Sequence, residues 1–166
     1  MQRAQVRVGA LLVAGDAVCL IRRQRPDGVQ HSLPGGLVEA GEDAFSALHR
    51  ELSEELGLDA TAAPAAPVLR WVQDQAGTRP GRDGVFRRRH LVFVLRLPTT
   101  ARDGLAAVEL DAADPTAVVW CDPARAARLH LYPALGGALA RAATDPAPRT
   151  RPVLLPPMTD TTYRWR

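Results

Sequence analysis

Three glutamates on one predicted helix are the residues of this sequence that most directly suggest chemistry: Glu51, Glu54 and Glu55. At ~100° per residue they share an arc of about 100° on the helix surface. A solvated acidic face is the ordinary interpretation, but Glu51 and Glu55 form an unfavourable i,i+4 pair near a helix C-terminus, where the helix dipole disfavours negative charge. Because hard divalent cations take oxygen ligands, the pattern favours a cation site. The adjacent Arg50 could orient one carboxylate through a bidentate contact.

The helix that carries these glutamates is predicted to extend to Leu56. Gly41-Glu42-Asp43 is typical of a helix start, and Gly57 is the expected C-terminal cap. An apolar stripe would pack the helix against the core, and its members are Ala44, Phe45, Leu48, Leu52 and Leu56. Glu55 falls within the edge of this stripe, so we expect its carboxylate to be partly buried.

The glutamates belong to a longer pattern, Gly36-x5-Glu42-x7-Arg50-Glu51-Leu52-Ser53-Glu54-Glu55-Leu56-Gly57-Leu58. This pattern resembles the signature of the Nudix hydrolases at every constrained position over its 23 residues. The preceding segments, Leu20 to Arg25 and Leu33-Pro34-Gly35-Gly36, are similar to the lead-in of that family. The resemblance implies an α/β (α+β) fold, an α/β/α sandwich around a mixed β-sheet. It covers residues 4–143 and leaves residues 144–166 as a Pro-rich tail without a separate domain.

The same resemblance implies an activity and a site. The activity is Mg²⁺- or Mn²⁺-dependent cleavage of a phosphoanhydride in a nucleoside diphosphate linked to another group. Such metal ions neutralise phosphate oxygens and lower the pKa of a bound water, so the protein has to orient the attack on one phosphorus. By the match to the motif, Glu51, Glu54 and Glu55 would hold metal together with the Gly35 carbonyl. Arg50 would position the carboxylates, Gly36 would support the loop, and Glu42 would support either the loop or an outer-sphere water.

Two further sets of residues are candidates for catalysis and substrate binding. The proton acceptor is predicted to be Glu54, on the rigid helix, and the alternative is Glu109, on a later loop that could close over substrate. Substrate phosphates could be bound by the arginines of a predicted polar loop, although an ordinary solvated loop fits equally well; these are Arg22, Arg23 and Arg25.

The remaining elements are predicted from periodicity and turn residues. Strands are expected at Val6–Val13, Ala17–Ile21, Val68–Gln73, Arg87–Leu97 and Ala117–Trp120. Polar loops are expected at Arg22–Gly28 and Thr99–Pro115, a hairpin tip at Gly77–Gly84, and helices at Pro123–Leu129 and Pro133–Ala143. On a strand, Arg88 points away from Arg87 and Arg89, and this arginine run either contacts phosphate or protects an edge strand. The tail is expected to be mostly irregular and to fold back through Tyr163 and Trp165.

Composition excludes several classes of protein. The chain has 166 residues, enough for one domain. It has no lysine, which excludes Schiff-base enzymes, pyridoxal enzymes and the phosphate loop with its lysine. Cys19 and Cys121 are too far apart in sequence for a Cys-x-x-Cys pair and are expected to be small core residues. No apolar run approaches the ~18 residues of a membrane span, so a cytoplasmic protein is predicted.

Three functional hypotheses differ in what the glutamates do. The first is an active pyrophosphohydrolase whose partner is a small-molecule nucleotide. The second is a non-catalytic nucleotide-sensing module, which has no need of three mutually repelling carboxylates. The third is an RNA 5′-end pyrophosphohydrolase that uses the arginine hairpin as an electrostatic track, although nucleic acid is the less favoured partner. A homodimer is compatible with each of them.

Overall fold

One mixed β-sheet forms the centre of the molecule, and helices cover both of its faces. The computed structural model describes residues 4–110, 112–144 and 151–166. Its strands are β1 (Gln5–Ala14), β2 (Ala17–Arg25), β3 (Gly28–Ser32), β4 (Val68–Arg79), β5 (Arg82–Leu97), β6 (Thr116–Cys121), β7 (Leu131–Tyr132) and β8 (Val153–Leu154). Its helices are α1 (Ala44–Leu56), α2 (Ala101–Gly104), α3 (Pro123–Ala126) and α4 (Gly136–Thr144), with a 3₁₀ turn at Ala60–Ala62.

The order of the strands brings distant parts of the chain together. The sheet runs β7-β3-β2-β1-β5-β4-β8, and β6 pairs with β2. β1 and β5 are parallel, with Gln5 opposite Arg88 and Ala14 opposite Leu97, whereas β4 and β5 form a long antiparallel hairpin. Parallel and antiparallel pairs in one sheet, covered by helices on both faces, confirm the predicted α/β/α sandwich.

Alternating residues of β1 fill two separate cores. Val8 and Leu12 pack on the α1 side of the sheet, together with Leu48, Leu52 and Leu56 of the helix. Leu11 faces the opposite side and packs with Leu135 and Leu139. Each leucine buried in this way contributes roughly 1.5–3 kcal/mol relative to an exposed one. Packing of the apolar stripe of α1 therefore determines the position and rotation of the helix on the sheet.

The local signals at both ends of α1 act as predicted. The Asp43 side chain accepts a hydrogen bond from the Ser46 backbone N–H at 2.8 Å, and Gly57 adopts a left-handed conformation with φ of 66°. The Gly57 N–H bonds back to the Ser53 carbonyl at 2.9 Å and so ends the helix. Phe45 differs from expectation: it is 51% exposed and packs at the rim against Phe93, with ring centroids 5.2 Å apart.

Three predictions about strands and loops were wrong. The polar stretch Arg22–Gly28 is not a loop, because β2 continues to Arg25 and a tight turn leads into β3 at Gly28. The hairpin of β4 and β5 is also longer than predicted, with strand pairing up to Arg79 opposite Arg82. The run Arg87–Arg89 cannot protect a sheet edge, since β5 lies between β1 and β4. In each case pairing with a neighbouring strand overrides the polar composition.

The C-terminal residues 151–166 fold back onto the sheet, as expected. Val153 and Leu154 pair with Trp71 and Val72 of β4. The Tyr163 hydroxyl accepts a hydrogen bond from the Gln30 side chain at 2.9 Å. The first part of the predicted tail, residues 145–150, lies outside the described residues.

Two smaller expectations concern the cysteines and membrane spans. Cys19 is buried in the core and Cys121 is half-buried, and both are free thiols. None of the described helices is long and apolar enough to cross a membrane.

Candidate active site

Helix α1 places its three glutamates at different depths beside the loop Leu33–Gly36. Glu55 is buried at 6% exposure, because it shares the face of α1 that packs on the sheet. The Glu51 side chain is 13% exposed and that of Glu54 is 49% exposed. The predicted partial burial of Glu55 is therefore confirmed, and the three carboxylates form a gradient from the core to the surface.

Glu55 is held in place by the glycine loop. Its carboxylate accepts a hydrogen bond from the Gly35 N–H at 2.6 Å. Burial, followed by the hydrogen bond and charge of Glu109, raises the pKa of Glu55 well above its usual range. Burial also raises the pKa of Glu51. Both carboxyl groups are therefore costly to ionise where they are buried.

Arg50 organises the other carboxylates. Its guanidinium donates two hydrogen bonds of 3.0 Å to the Glu42 carboxylate, one of 2.9 Å to Glu51 and one of 3.1 Å to Glu54. It also donates to the Leu37 carbonyl at 3.0 Å, which ties the helix to the glycine loop. These contacts lower the pKa of Glu42, and the bond to Glu42 contributes most to raising the pKa of Arg50. The structure thus places Arg50 and Glu42 as a bidentate pair that supports the loop.

The two glycines of the loop allow a close approach that no other residue could make. Gly35 has a φ of +139°, and a Cβ atom there would lie 2.2 Å from the Val8 carbonyl oxygen. A Cβ atom on Gly36 would lie 2.0 Å from a Glu51 carboxylate oxygen. The Gly35 carbonyl accepts a hydrogen bond from the Arg7 side chain. Glycine at both positions therefore lets the loop backbone lie directly against β1 and against the Glu51 carboxylate.

Glu109 joins this group from a distant part of the chain. It is 9% exposed, forms an ion pair with Arg23, and lies within hydrogen-bonding reach of Glu55. The Leu110 N–H donates to the Glu55 carbonyl at 2.8 Å, so this loop is docked on the C-terminus of α1. The structure brings Glu109 to the site without any loop closure.

A cavity of about 590 Å³ neighbours this group, because its lining includes Arg7, which donates to the Gly35 carbonyl, and Arg23, which pairs with Glu109. Of the arginines predicted to bind substrate, Arg23 and Arg25 line it. Arg22 is exposed and does not line it, because side chains alternate along β2 and its neighbours point the other way. Because this segment is a strand and not the predicted loop, Arg23 and Arg25 face the cavity and Arg22 faces away from it.

Sequence reasoning missed most of the other residues that line this cavity. They come from β1, the β4–β5 hairpin, β7 and the C-terminus: Arg7, Arg79, Arg88, Tyr132, Trp165 and Arg166. One signal was available, since the alternation of β5 predicts that Arg88 faces away from Arg87 and Arg89. Arg88 is 7% exposed while both neighbours are exposed, which confirms that prediction.

The carboxylates have the chemistry that a divalent cation needs. Carboxylate and backbone carbonyl oxygens are the preferred ligands of Mg²⁺ and Mn²⁺. Burial raises the pKa of Glu51 and of Glu55, and a bound cation would favour their ionised forms. Within residues 4–110, 112–144 and 151–166, no three acidic, histidine or cysteine side chains are gathered into a ready cluster. Arg50 and the Gly35 N–H occupy carboxylate oxygens that a cation would otherwise take.

Comparisons with known proteins match this architecture. The family profile described as NUDIX domain matches residues 3–141. A Mycobacterium tuberculosis protein provisionally named 8-oxo-dGTP diphosphatase 2 is 34% identical over 139 residues, which are 82% of this chain and 94% of that protein. The solved structure of the Escherichia coli ORF135 protein is 26% identical, with a TM-score of 0.55 over 88% of this chain and 96% of its own. A mutT/nudix family protein from Listeria innocua is 22% identical, with a TM-score of 0.60 over 87% of this chain and 94% of its own, a likeness in fold.

Proposed function

Because this chain belongs to the Nudix family of hydrolases, which act on pyrophosphate bonds, we propose that it is a divalent-metal-dependent pyrophosphohydrolase of a nucleotide or nucleotide derivative. One observation carries the proposal. The acidic group of Glu51, Glu55 and Glu109 is largely buried, and Arg23, which pairs with Glu109, lines a neighbouring cavity together with Arg25. Negative charge on one side suits a cation, and positive charge on the other suits phosphate oxygens.

Each residue then has a distinct part in the reaction. Glu51, Glu54, Glu55 and the Gly35 carbonyl would hold Mg²⁺ or Mn²⁺. When bound, such an ion neutralises phosphate oxygens and lowers the pKa of a coordinated water. Arg50 fixes the orientation of the carboxylates through its bonds to Glu42 and the Leu37 carbonyl. Arg23 and Arg25 bind phosphate oxygens and so orient the anhydride for attack.

The proton acceptor is proposed to be Glu54. Its side chain is the most exposed of the three helix carboxylates, so an attacking water can reach it, and Arg50 holds it at 3.1 Å. Glu109 is the alternative, and its carboxylate is already engaged by Arg23 and Glu55. Loss of a base lowers kcat with metal affinity nearly intact, whereas loss of a ligand raises the metal concentration required.

Turnover measured against Mg²⁺ concentration separates the two candidates. Glu54→Gln is expected to lower kcat about 100-fold or more at saturating Mg²⁺, within the usual range for a general base. Glu109→Gln is expected to leave kcat within several-fold. A large loss at saturating Mg²⁺ for Glu109→Gln alone would show that Glu109 is the base.

The substrate class is tested with a panel of compounds. The relative named as an 8-oxo-dGTP diphosphatase makes oxidised deoxynucleoside triphosphates the first candidates for this chain. The panel adds ordinary nucleoside triphosphates, dinucleoside polyphosphates, nucleotide sugars, ADP-ribose, NADH and coenzyme A, each with Mg²⁺ or Mn²⁺. We expect hydrolysis of at least one phosphoanhydride, lost on chelation and restored by either ion. Glu39→Gln, at an exposed glutamate outside the site, is the control and should behave like the unaltered protein. Activity that survives exhaustive chelation would contradict the proposal.

A further inference from the structure

Three arginines that line the cavity have no acidic partner within the described parts of the chain. They are Arg7, Arg79 and Arg88, none of which forms an ion pair there. Arg88 donates only to neutral groups, the Tyr132 hydroxyl and the Gln5 side chain, both at 2.8 Å. Asp27 is the one acidic residue of the described chain that lines the cavity. The cavity therefore carries positive charge well in excess of negative charge.

Two of these arginines are also incompletely bonded. The Nε atoms of Arg79 and Arg88 are buried and have no hydrogen-bond partner among the described residues. Burial, and then the nearby charge of Arg88, lowers the pKa of Arg79. A buried guanidinium without a counter-charge is costly, because desolvation is not offset by an ion pair. The unbonded Nε–H groups and the unpaired positive charge of these arginines therefore both favour binding of an anion here.

Aromatic rings hold Arg79 in a fixed orientation. Its guanidinium carbon lies 4.6 Å from the Phe86 ring centre and 4.7 Å from that of Trp165. The two ring centres are only 5.8 Å apart, so the rings contact the guanidinium from adjacent directions and not from opposite faces. The remaining side of the guanidinium can donate its N–H groups to an oxyanion. The Trp165 ring also has Tyr132 and Tyr163 at 5.1 and 5.5 Å. It is therefore a packed wall and not an open platform for stacking a base.

The C-terminal segment is anchored where it forms this wall. Arg166 donates to the Val29 carbonyl at 3.1 Å, and the Asp160 carboxylate accepts from the Thr78 N–H at 2.9 Å. These contacts join the tail to the β2–β3 and β4–β5 hairpins on either side of the cavity. Trp165 is consequently positioned by the fold before any ligand arrives.

The arginine end of the cavity lies at a distance from the glutamates. The backbone at Gly35 lies directly against the backbone of Val8 and Gly9. Gly9 is opposite Val92, four positions along β5 from Arg88, which is about 13 Å at the strand rise of ~3.3 Å per residue. The backbone at Arg88 is therefore set apart from the glycine loop, and neither Arg88 nor Arg79 forms an ion pair with the glutamates of the site.

We propose that Arg79 and Arg88, with Trp165 as the wall that fixes Arg79, form a second anion site that binds a phosphate group carried by the substrate in addition to the anhydride that is cleaved. The inference rests on the proposed function for the position of the cleaved bond. It restricts the substrate to nucleotides with a further phosphate at the end remote from the reaction.

Binding of inorganic pyrophosphate to the full chain in the presence of a chelator tests the anion site without turnover. Isothermal titration calorimetry should show saturable binding to the unaltered protein. Arg79→Gln and Arg88→Gln should each weaken it about tenfold or more, since each removes charge-assisted hydrogen bonds. Arg96→Gln is the matched control: it removes the same charge from an exposed position further along β5 and should change affinity less than about twofold, because distant surface charges are screened.

Because Arg88 is buried, the fold of each variant is checked by thermal unfolding without ligand. Arg79 is only half-buried at the end of β4, so Arg79→Gln still tests the anion site if Arg88→Gln does not fold. Three results would overturn the proposal: absence of saturable binding, equal weakening by Arg96→Gln, or unchanged pyrophosphate binding in both Arg79→Gln and Arg88→Gln.

A kinetic comparison links the anion site to the substrate. Two nucleotides that differ only by a 3′-phosphate should differ in KM for the unaltered protein, and Arg79→Gln should abolish that difference in KM. An equal KM for both nucleotides in the unaltered protein would contradict the substrate class. If pyrophosphate binds as expected and no anhydride is hydrolysed, the anion site is supported and the proposed function fails.

Discussion

Replacing Glu55 with glutamine separates metal binding from folding more sharply than any other single change. In the metal-free protein, burial and Glu109 raise the pKa of Glu55, so its carboxyl binds a proton more strongly in the folded state than in the unfolded state. Stability then declines as pH rises from the unfolded pKa of ~4.3 towards the folded value. Glutamine resembles the protonated carboxyl and can still accept from the Gly35 N–H. Glu55→Gln should therefore leave the metal-free unfolding free energy at pH 8 unchanged or slightly increased.

The same change should remove the response to metal. An ion at 100 times its dissociation constant stabilises the unaltered protein by about 2.7 kcal/mol. At about 2–4 °C per kcal/mol for a chain of this size, Tm should rise by about 5–10 °C. Glu55→Gln should show a much smaller rise, and kcat/KM should fall about 100-fold or more, which is several kcal/mol of transition-state stabilisation.

Differential scanning calorimetry with and without Mg²⁺, run beside the hydrolysis assay, provides both measurements. Glu39→Gln is again the control, because its side chain is exposed and outside the site. If Glu55→Gln lowered metal-free stability by more than about 2 kcal/mol and kept normal turnover, Glu55 would be a structural residue and the reasoning would fail.

Three further predictions concern the core, the arginine network and a buried histidine. Leu48→Ala should lower the free energy of unfolding, measured by urea denaturation, by ~2–5 kcal/mol because Leu48 is fully buried. The folded fraction should keep its kcat, and a drop in kcat without loss of stability would contradict this. Arg50→Lys keeps the positive charge but loses the bidentate contact with Glu42. The Mg²⁺ concentration for half-maximal activity should therefore rise several-fold, and an unchanged concentration would show that the contact is dispensable. Burial lowers the pKa of His90 well below its usual value, so the unfolded chain takes up a proton that the folded chain does not. The free energy of unfolding should consequently fall as pH drops below ~6.5, and this group contributes at most ~1.4 kcal/mol per pH unit. His90→Gln should reduce this pH dependence; the same pH dependence in the variant and the unaltered protein would exclude His90 as its source.

The sequence by itself determined the parts of the site that lie within one stretch of chain. The start and end of α1 depend on Asp43 and Gly57, whose hydrogen bonds are to residues at most five positions away. Helical periodicity alone shows that Glu55 must be partly buried and that Arg50 can reach Glu54. These features were predictable because local propensity, capping and amphipathicity all indicate the same helix.

Tertiary structure decided which distant residues join that helix. Glu109 reaches Glu55 because its loop docks on the end of α1, and Arg88 reaches the cavity because β5 pairs with β1 in one particular register. Strand order and register follow from the total burial of both sheet faces, and a one-residue shift would turn every side chain of a strand to the opposite face. No short segment of sequence contains that information. For the same reason Arg79 and Trp165, which come from two separate segments, could be recognised as neighbours only in the folded chain.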